Sequence, residues 1–288
     1  MTSLALPLIM LSAIMHAAWN LIAKRTRTDG VTLVWLFAVF ETILFFPLIV
    51  FTLYQLTSGH LPPMAMVFMV GSGTLHTIYF WLLSSGYRVG DLSIVYPIAR
   101  GTGPLLSTVG AILLFAENPT PIVLAGTIVI SIGVIILTGN PRTLLQSSAL
   151  PALIFGLLTG LSVAVYTLWD AYAMNQAAIA PLFYQGGISF SRMVMLLPVV
   201  ATRRDAVKQA WRLDKRKAAA IAVLSSLAYL IILFVLAFTP VSYVAPMRTL
   251  SILIGVLLGA NILKEKDMRR RLIAAGAIVV GVVLLNVG

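Results

Sequence analysis

Residues 92–115 read LSIVYPIARGTGPLLSTVGAILLF. This stretch is apolar over a length that crosses a bilayer, about 20 residues or more. Yet it carries a cation, Arg100, and two prolines, Pro97 and Pro104, around the run Gly101-Thr102-Gly103. An arginine in hydrocarbon is costly and normally faces a protein-lined or wet interior. Proline leaves backbone carbonyls without a donor, which is tolerated at that depth where the helix lines a cavity or packs on neighbours. The stretch also has a second copy. Residues 241–263 read VSYVAPMRTLSILIGVLLGANIL, with Pro246 two residues before Arg248. Each arginine is followed 17 residues later by a glutamate, Glu117 and Glu265.

The totals agree with a membrane setting. Of 288 residues, 60% are apolar and 10% charged, and the mean hydropathy is +1.00. Such usage lies far outside that of soluble domains. The net charge of +11 would suit a nucleic-acid binder, but the basic residues sit in short connections between apolar segments. Positive-inside bias is the simpler cause, so no nucleic-acid partner is expected. Cysteine is absent, which excludes disulfides and thiolate metal sites. No basic stretch precedes the apolar run that starts at Leu4, so the first helix is expected to be retained rather than cleaved.

Ten segments of roughly spanning length are predicted, near 4–23, 31–54, 63–85, 92–115, 121–138, 149–172, 179–201, 218–239, 242–262 and 271–287. Of the 20 lysines and arginines, three (Arg100, Arg192 and Arg248) lie inside segments. The other 17 all fall in odd-numbered connections, seven of them in the basic connection 202–217. The positive-inside rule therefore predicts a multi-pass protein of the inner (plasma) membrane with both termini extracytoplasmic.

The chain also repeats itself. The arginine helices are the fourth segment of each five-segment half. Glu41 and Arg192, in segments 2 and 7, each precede a proline (Pro47, Pro198) by six residues. Leu6-Pro7 and Leu150-Pro151 open segments 1 and 6. An odd number of spans per half inverts the second half, an architecture that secondary transporters use to hold substrate near the midplane. The expected fold is thus all-α and membrane-embedded, with ten helices in two inverted repeats, 4–139 and 150–287.

The phrases VYPIARGTGPLL and VSYVAPMRTLSILIGVLLG, each ending near a glutamate (FAE at 115–117, LKE at 263–265), resemble the drug/metabolite transporter superfamily in its EamA-type ten-helix branch. The resemblance covers essentially the whole chain. It implies helices 1–4 and 6–9 around a central cavity, with helices 5 and 10 peripheral. It also implies alternating-access transport of a small metabolite, the substrate ranging over amino acids, drugs, sugars and purines.

Several residues stand out as site candidates. Arg100 and Arg248 suit a substrate carboxylate or phosphate, for which a planar fork is well matched; neutralisation by a protein carboxylate or a freed carbonyl is the alternative. Glu41, near mid-membrane, is a candidate proton-coupling site, set against a fixed ion pair with Arg192 or Arg100. His76 and Tyr79 lie one turn apart and, with Tyr96, could form a polar-aromatic wall; His76 is also a second proton-coupling candidate. Tyr229 is a cavity candidate, and Trp19 and Asn20 form a further polar cluster with His16. Pro97, Pro246, Tyr166, Trp169 and Tyr243 are gate candidates, although Tyr166 and Trp169 also suit an interfacial belt.

Arg100, Arg192 and Arg248 outnumber Glu41 and Asp170 by one charge, which favours a substrate bearing a carboxylate, such as an amino acid, over a lipophilic cation. The expected function is export of such a metabolite by a secondary or facilitative carrier, with protons as a candidate coupling ion. A multidrug carrier or an importer of the same superfamily is the alternative. No GxxxxGK[ST] motif is present, so ATP-driven transport is excluded. No paired DxxxD or HxxxH motif supports an integral-membrane enzyme on lipid-linked substrates. No cofactor or metal site is expected. The partners are then the substrate and membrane lipid, with monomer and homodimer both open.

Overall fold

The computed structural model of the protein describes residues 4–58, 63–89, 92–137, 150–254 and 268–288. Among these, all regular structure is helical: α1 (Ala5–Lys24), α2 (Gly30–Thr57), α3 (Pro63–Val89), α4 (Leu92–Phe115), α5 (Pro121–Ile136), α6 (Leu150–Asn175), α7 (Pro181–Ala201), α8 (Arg204–Leu236), α9 (Val241–Met247) and α10 (Met268–Val287). Six helices, α1–α4, α6 and α8, are long and apolar enough to cross a membrane by length and composition. Their outward faces carry large apolar side chains, among them Phe46, Leu113 and Leu114, each at least 60% exposed. Lipid tails satisfy such a surface, and water would not.

Local sequence sets several boundaries. Pro121 and Pro181 occupy first helical positions, where the missing N–H costs nothing. Thr120 caps α5 by accepting from the Val123 N–H at 3.3 Å. Pro97 and Pro104 lie inside an α4 that stays helical throughout. α9 instead breaks at its arginine: after Met247 the chain makes i→i+3 bonds from Thr249 to Pro246 and from Ser251 to Arg248, then resumes as helix to Ile254.

One boundary differs from the sequence expectation. The basic stretch 202–217 is expected as a connection before a segment at 218–239, but helix runs unbroken from Arg204 to Leu236. No glycine or proline interrupts those 33 residues, and the basic part is rich in Ala, Lys, Arg and Gln, which favour helix. Glu265 and the end of the second arginine segment lie outside the described residues.

The protein forms two compact units. The first takes Met1–Ile14, Trp81–Leu168 and Thr239–Gly288; the second takes Met15–Phe80 and Trp169–Phe238. Neither follows a sequence half. In the first, α4 packs on α9, and α5 packs most extensively on α10. In the second, α2 packs on α7 and α8. Helices at equivalent places in the two halves therefore pair within a unit.

Small residues permit these approaches. A Cβ on Gly126 of α5 would stand 2.8 Å from the carbonyl oxygen of Gly281 in α10, so only glycine lets the two backbones close. On α6, a Cβ on Gly160 would meet the Ala99 carbonyl of α4 at 3.1 Å. The stripe Gly160, Val163, Thr167 thus runs along α4 with helical spacing and carries Thr167 to the functional residues.

Candidate functional site

In the first unit, Arg100 and Arg248 line one cavity. Pro104, Ser107, Val163, Thr167, Ala245 and Thr249 complete its wall. Its volume is ≈20 Å³, room for about one water and too small for a metabolite. As it stands the cavity is too narrow to hold such a molecule. Each guanidinium lies over a tyrosine ring, Arg100 over Tyr96 at 5.5 Å and Arg248 over Tyr166 at 5.7 Å. Arg248 also donates from Nη1 to Thr167 Oγ1 at 3.2 Å and from Nη2 to the Tyr166 hydroxyl at 3.4 Å.

The prolines shape this wall. Pro104 has no N–H, so the carbonyl of Arg100, four residues earlier, loses its helical donor beside the cavity. In α9 the break after Pro246 falls at Arg248 itself, and the Thr249 and Ser251 hydroxyls donate to the Pro246 and Arg248 carbonyls at 2.7 and 2.9 Å. A continuous but proline-bearing α4 and an α9 that breaks at its arginine thus present two cations to one space.

Glu117 fixes where α9 begins, a role not assigned from sequence. Its carboxylate accepts from the N–H groups of Val241 and Ser242 at 2.8 and 2.9 Å, the first two of the helix. Pro240, at the cap position, has no side-chain acceptor of its own. A carboxylate there satisfies orphan donors and meets the positive end of the helix dipole. Ala116, at φ 54°, turns the chain out of α4 so that Glu117 can reach. The signal in the sequence was a glutamate at fixed distance from each arginine together with a helix opening on proline.

The second unit holds two buried polar centres. In one, Glu41 of α2 forms an ion pair with Arg192 of α7, and both are at most 5% exposed. Ser189 and Ser225 donate to the two Glu41 oxygens at 3.0 and 2.8 Å, and the guanidinium lies 5.1 Å from the Phe37 ring centre and 5.9 Å from that of Phe80. Of the two arginines weighed as partners for Glu41, this geometry joins it to Arg192. In the other centre, Asp170 of α6 is fully buried and accepts from Tyr184 of α7 at 2.7 Å and from Tyr229 of α8. Tyr229 is therefore tied to a carboxylate, a link its place in the sequence did not reveal.

The remaining candidates fall as follows. The His76 ring stands edge-on to Tyr229 at 5.0 Å, with Nδ1 2.9 Å from the Ser72 carbonyl. Tyr79 is buried against Phe80. Trp19 stacks edge-on with His16 and packs against the core around Leu36 and Ile221, while Asn20 donates to the His16 carbonyl. These belong to the second unit, as does Trp169, which donates to the Phe68 carbonyl at 2.9 Å. Tyr243, in the first, reaches the Gly288 carbonyl at 3.4 Å.

Near the end of the basic part of α8, Asp214 accepts from Lys217, Thr28 and the Arg27 N–H at 2.8–2.9 Å. Burial opposes its ionisation, but these donors prevail and hold the carboxyl below its usual range.

Comparison with known proteins gives the same architecture. A solved crystal structure of a protein matches with a TM-score of 0.79 at 13% identity, over 100% of this chain and 98% of that one. That likeness concerns the fold alone. No curated protein matches. The profile of the EamA-like transporter family matches twice, over residues 3–139 and 150–287. Two matched repeats that together cover nearly the whole sequence place this chain in the EamA-like transporter family of the drug/metabolite transporter superfamily.

Proposed function

We propose that this protein is a secondary or facilitative carrier exporting a small carboxylate-bearing metabolite, such as an amino acid, by alternating access. The observation that carries the reading is the single cavity lined by both Arg100 and Arg248. Two guanidiniums facing one low-dielectric space attract an anion, and each offers planar donors that match a carboxylate. The cavity has a water-sized volume, so a metabolite fits between the two arginines only after the wall widens. The broken α9 and the proline-bearing α4 are the elements able to move there with little loss of hydrogen bonds.

Proton coupling finds less support at Glu41, where Arg192, Ser189 and Ser225 favour a fixed charged pair. His76 remains a candidate, held at Ser72 and facing Tyr229. The 17-to-0 bias of basic residues supports an inner-membrane orientation with extracytoplasmic termini.

A ligand screen by thermal shift tests the substrate class. Amino acids are compared with their amides and decarboxylated amines, alongside sugars, purines and cationic drugs. The reading predicts stabilisation by at least one carboxylate and loss of that effect in its amide. Stabilisation by lipophilic cations alone would support a multidrug carrier instead.

A further inference from the structure

Helix α8 is longer than a bilayer requires. Its apolar part, 218–236, spans about 28 Å at 1.5 Å per residue, close to the hydrocarbon thickness of about 30 Å. The turns before it, 204–217, are amphipathic. Ala210, Asp214 and Ala218 turn inward, while Arg204, Lys208, Arg212 and Arg216 recur every fourth residue as a basic stripe. Beside that stripe runs a groove of ≈440 Å³ lined by Trp35, Leu36 and Val39 of α2 and by Val207, Lys208, Trp211 and Arg212 of α8. Its size falls in the range of small-molecule sites, about 300–1,000 Å³. Trp211 is 48% exposed and stacks on Phe40 at 5.7 Å.

We propose that this groove binds an anionic phospholipid, with an acyl chain along the apolar floor and the phosphate held by Lys208 and Arg212. Three observations converge on that occupant. The floor is apolar and two cations line the groove, the charge pattern of a phospholipid in negative image. Lys208 also stands 3.9 Å from Asp205 in an exposed pair, which is worth little and yields readily to a phosphate. The groove joins the basic first turns of α8, ahead of its apolar run, to the first third of α2, so that it pairs a cationic edge with an apolar floor where the lipid-facing part of these helices begins. The repeat does not require it: α3, the counterpart of α8, opens on Pro63 and has its first cation at Arg88. Positive-inside topology explains basic residues on this side, but it needs neither their helical register nor a groove between them.

The test uses purified full-length protein, delipidated in an uncharged detergent. Phosphatidylglycerol, phosphatidylcholine with the same chains, and inorganic phosphate are titrated in turn. Lipid adducts are read by native mass spectrometry and stability by thermal unfolding. Phosphatidylglycerol is expected to bind with a preference over phosphatidylcholine that Lys208→Gln/Arg212→Gln weakens about thirtyfold, roughly fivefold per cation near an anionic lipid. Val39→Phe, which fills the groove without altering charge, should weaken it too. Arg204→Gln/Arg216→Gln, which removes two cations from the same stripe outside the groove, should leave it nearly intact. Equal losses in the two double variants would overturn the site in favour of diffuse attraction. So would equal binding of the two lipids, or full stabilisation by phosphate alone.

Discussion

At the scale of single residues, the buried pair Glu41–Arg192 sets the sharpest expectation. Removing one partner strands the other charge in a low-dielectric interior, a loss of about 3–5 kcal/mol. Arg192→Met should therefore lower the unfolding temperature sharply, while Glu41→Leu/Arg192→Met should recover much of it, since an apolar pair of similar volume needs no compensation. Thermal unfolding of the wild type, Glu41→Leu, Arg192→Met and the double variant in one detergent measures the coupling. The sequence showed charges at membrane depth, because an ionisable residue in an apolar run is conspicuous. It did not show which arginine meets Glu41, because partners on different helices follow no spacing rule. Tyr229 makes the same point: a mid-helix hydroxyl was visible, but the Asp170 carboxylate that it serves lies 59 residues away.

At the scale of elements, Glu117 joins the end of α4 to the start of α9 and so sets the register of Arg248. Glu117→Ala should destabilise by about 1–2 kcal/mol, as loss of a helix cap does, and should reduce transport beyond its effect on stability. Gly160→Val tests the packing of α6 on α4. The added atoms meet the Ala99 carbonyl and Thr102, and overpacking of this kind costs about 1–3 kcal/mol. Its unfolding temperature should fall, whereas Gly276→Val, where a Cβ meets nothing within 4 Å, should change little. Among the described residues the predicted segments fall on helices, six of them long and apolar enough to span a membrane. The start of α8 was not, because charge suggests a connection while propensity, which ruled here, favours helix.

At the scale of the molecule, equivalent helices of the two halves pair with one another, α4 with α9, α5 with α10 and α2 with α7. The halves were legible as a repeat in sequence, but compact units built across them were not, since pairing between repeats leaves no local signal. The absence of native cysteine makes orientation directly measurable. A cysteine at Asn118 should react with an impermeant thiol reagent added outside intact cells, and one at Lys208 should not; the reverse pattern would invert the assigned topology. Arg100 and Arg248 are proposed to serve one anion-binding pathway, and counterflow in proteoliposomes separates this from two independent structural roles. With a carboxylate substrate loaded inside, wild-type protein should accumulate the labelled substrate. Arg100→Gln and Arg248→Gln, each still folded, should cut that rate about tenfold or more, as loss of a hydrogen bond to a charged group implies. Wild-type counterflow in either variant would contradict the account.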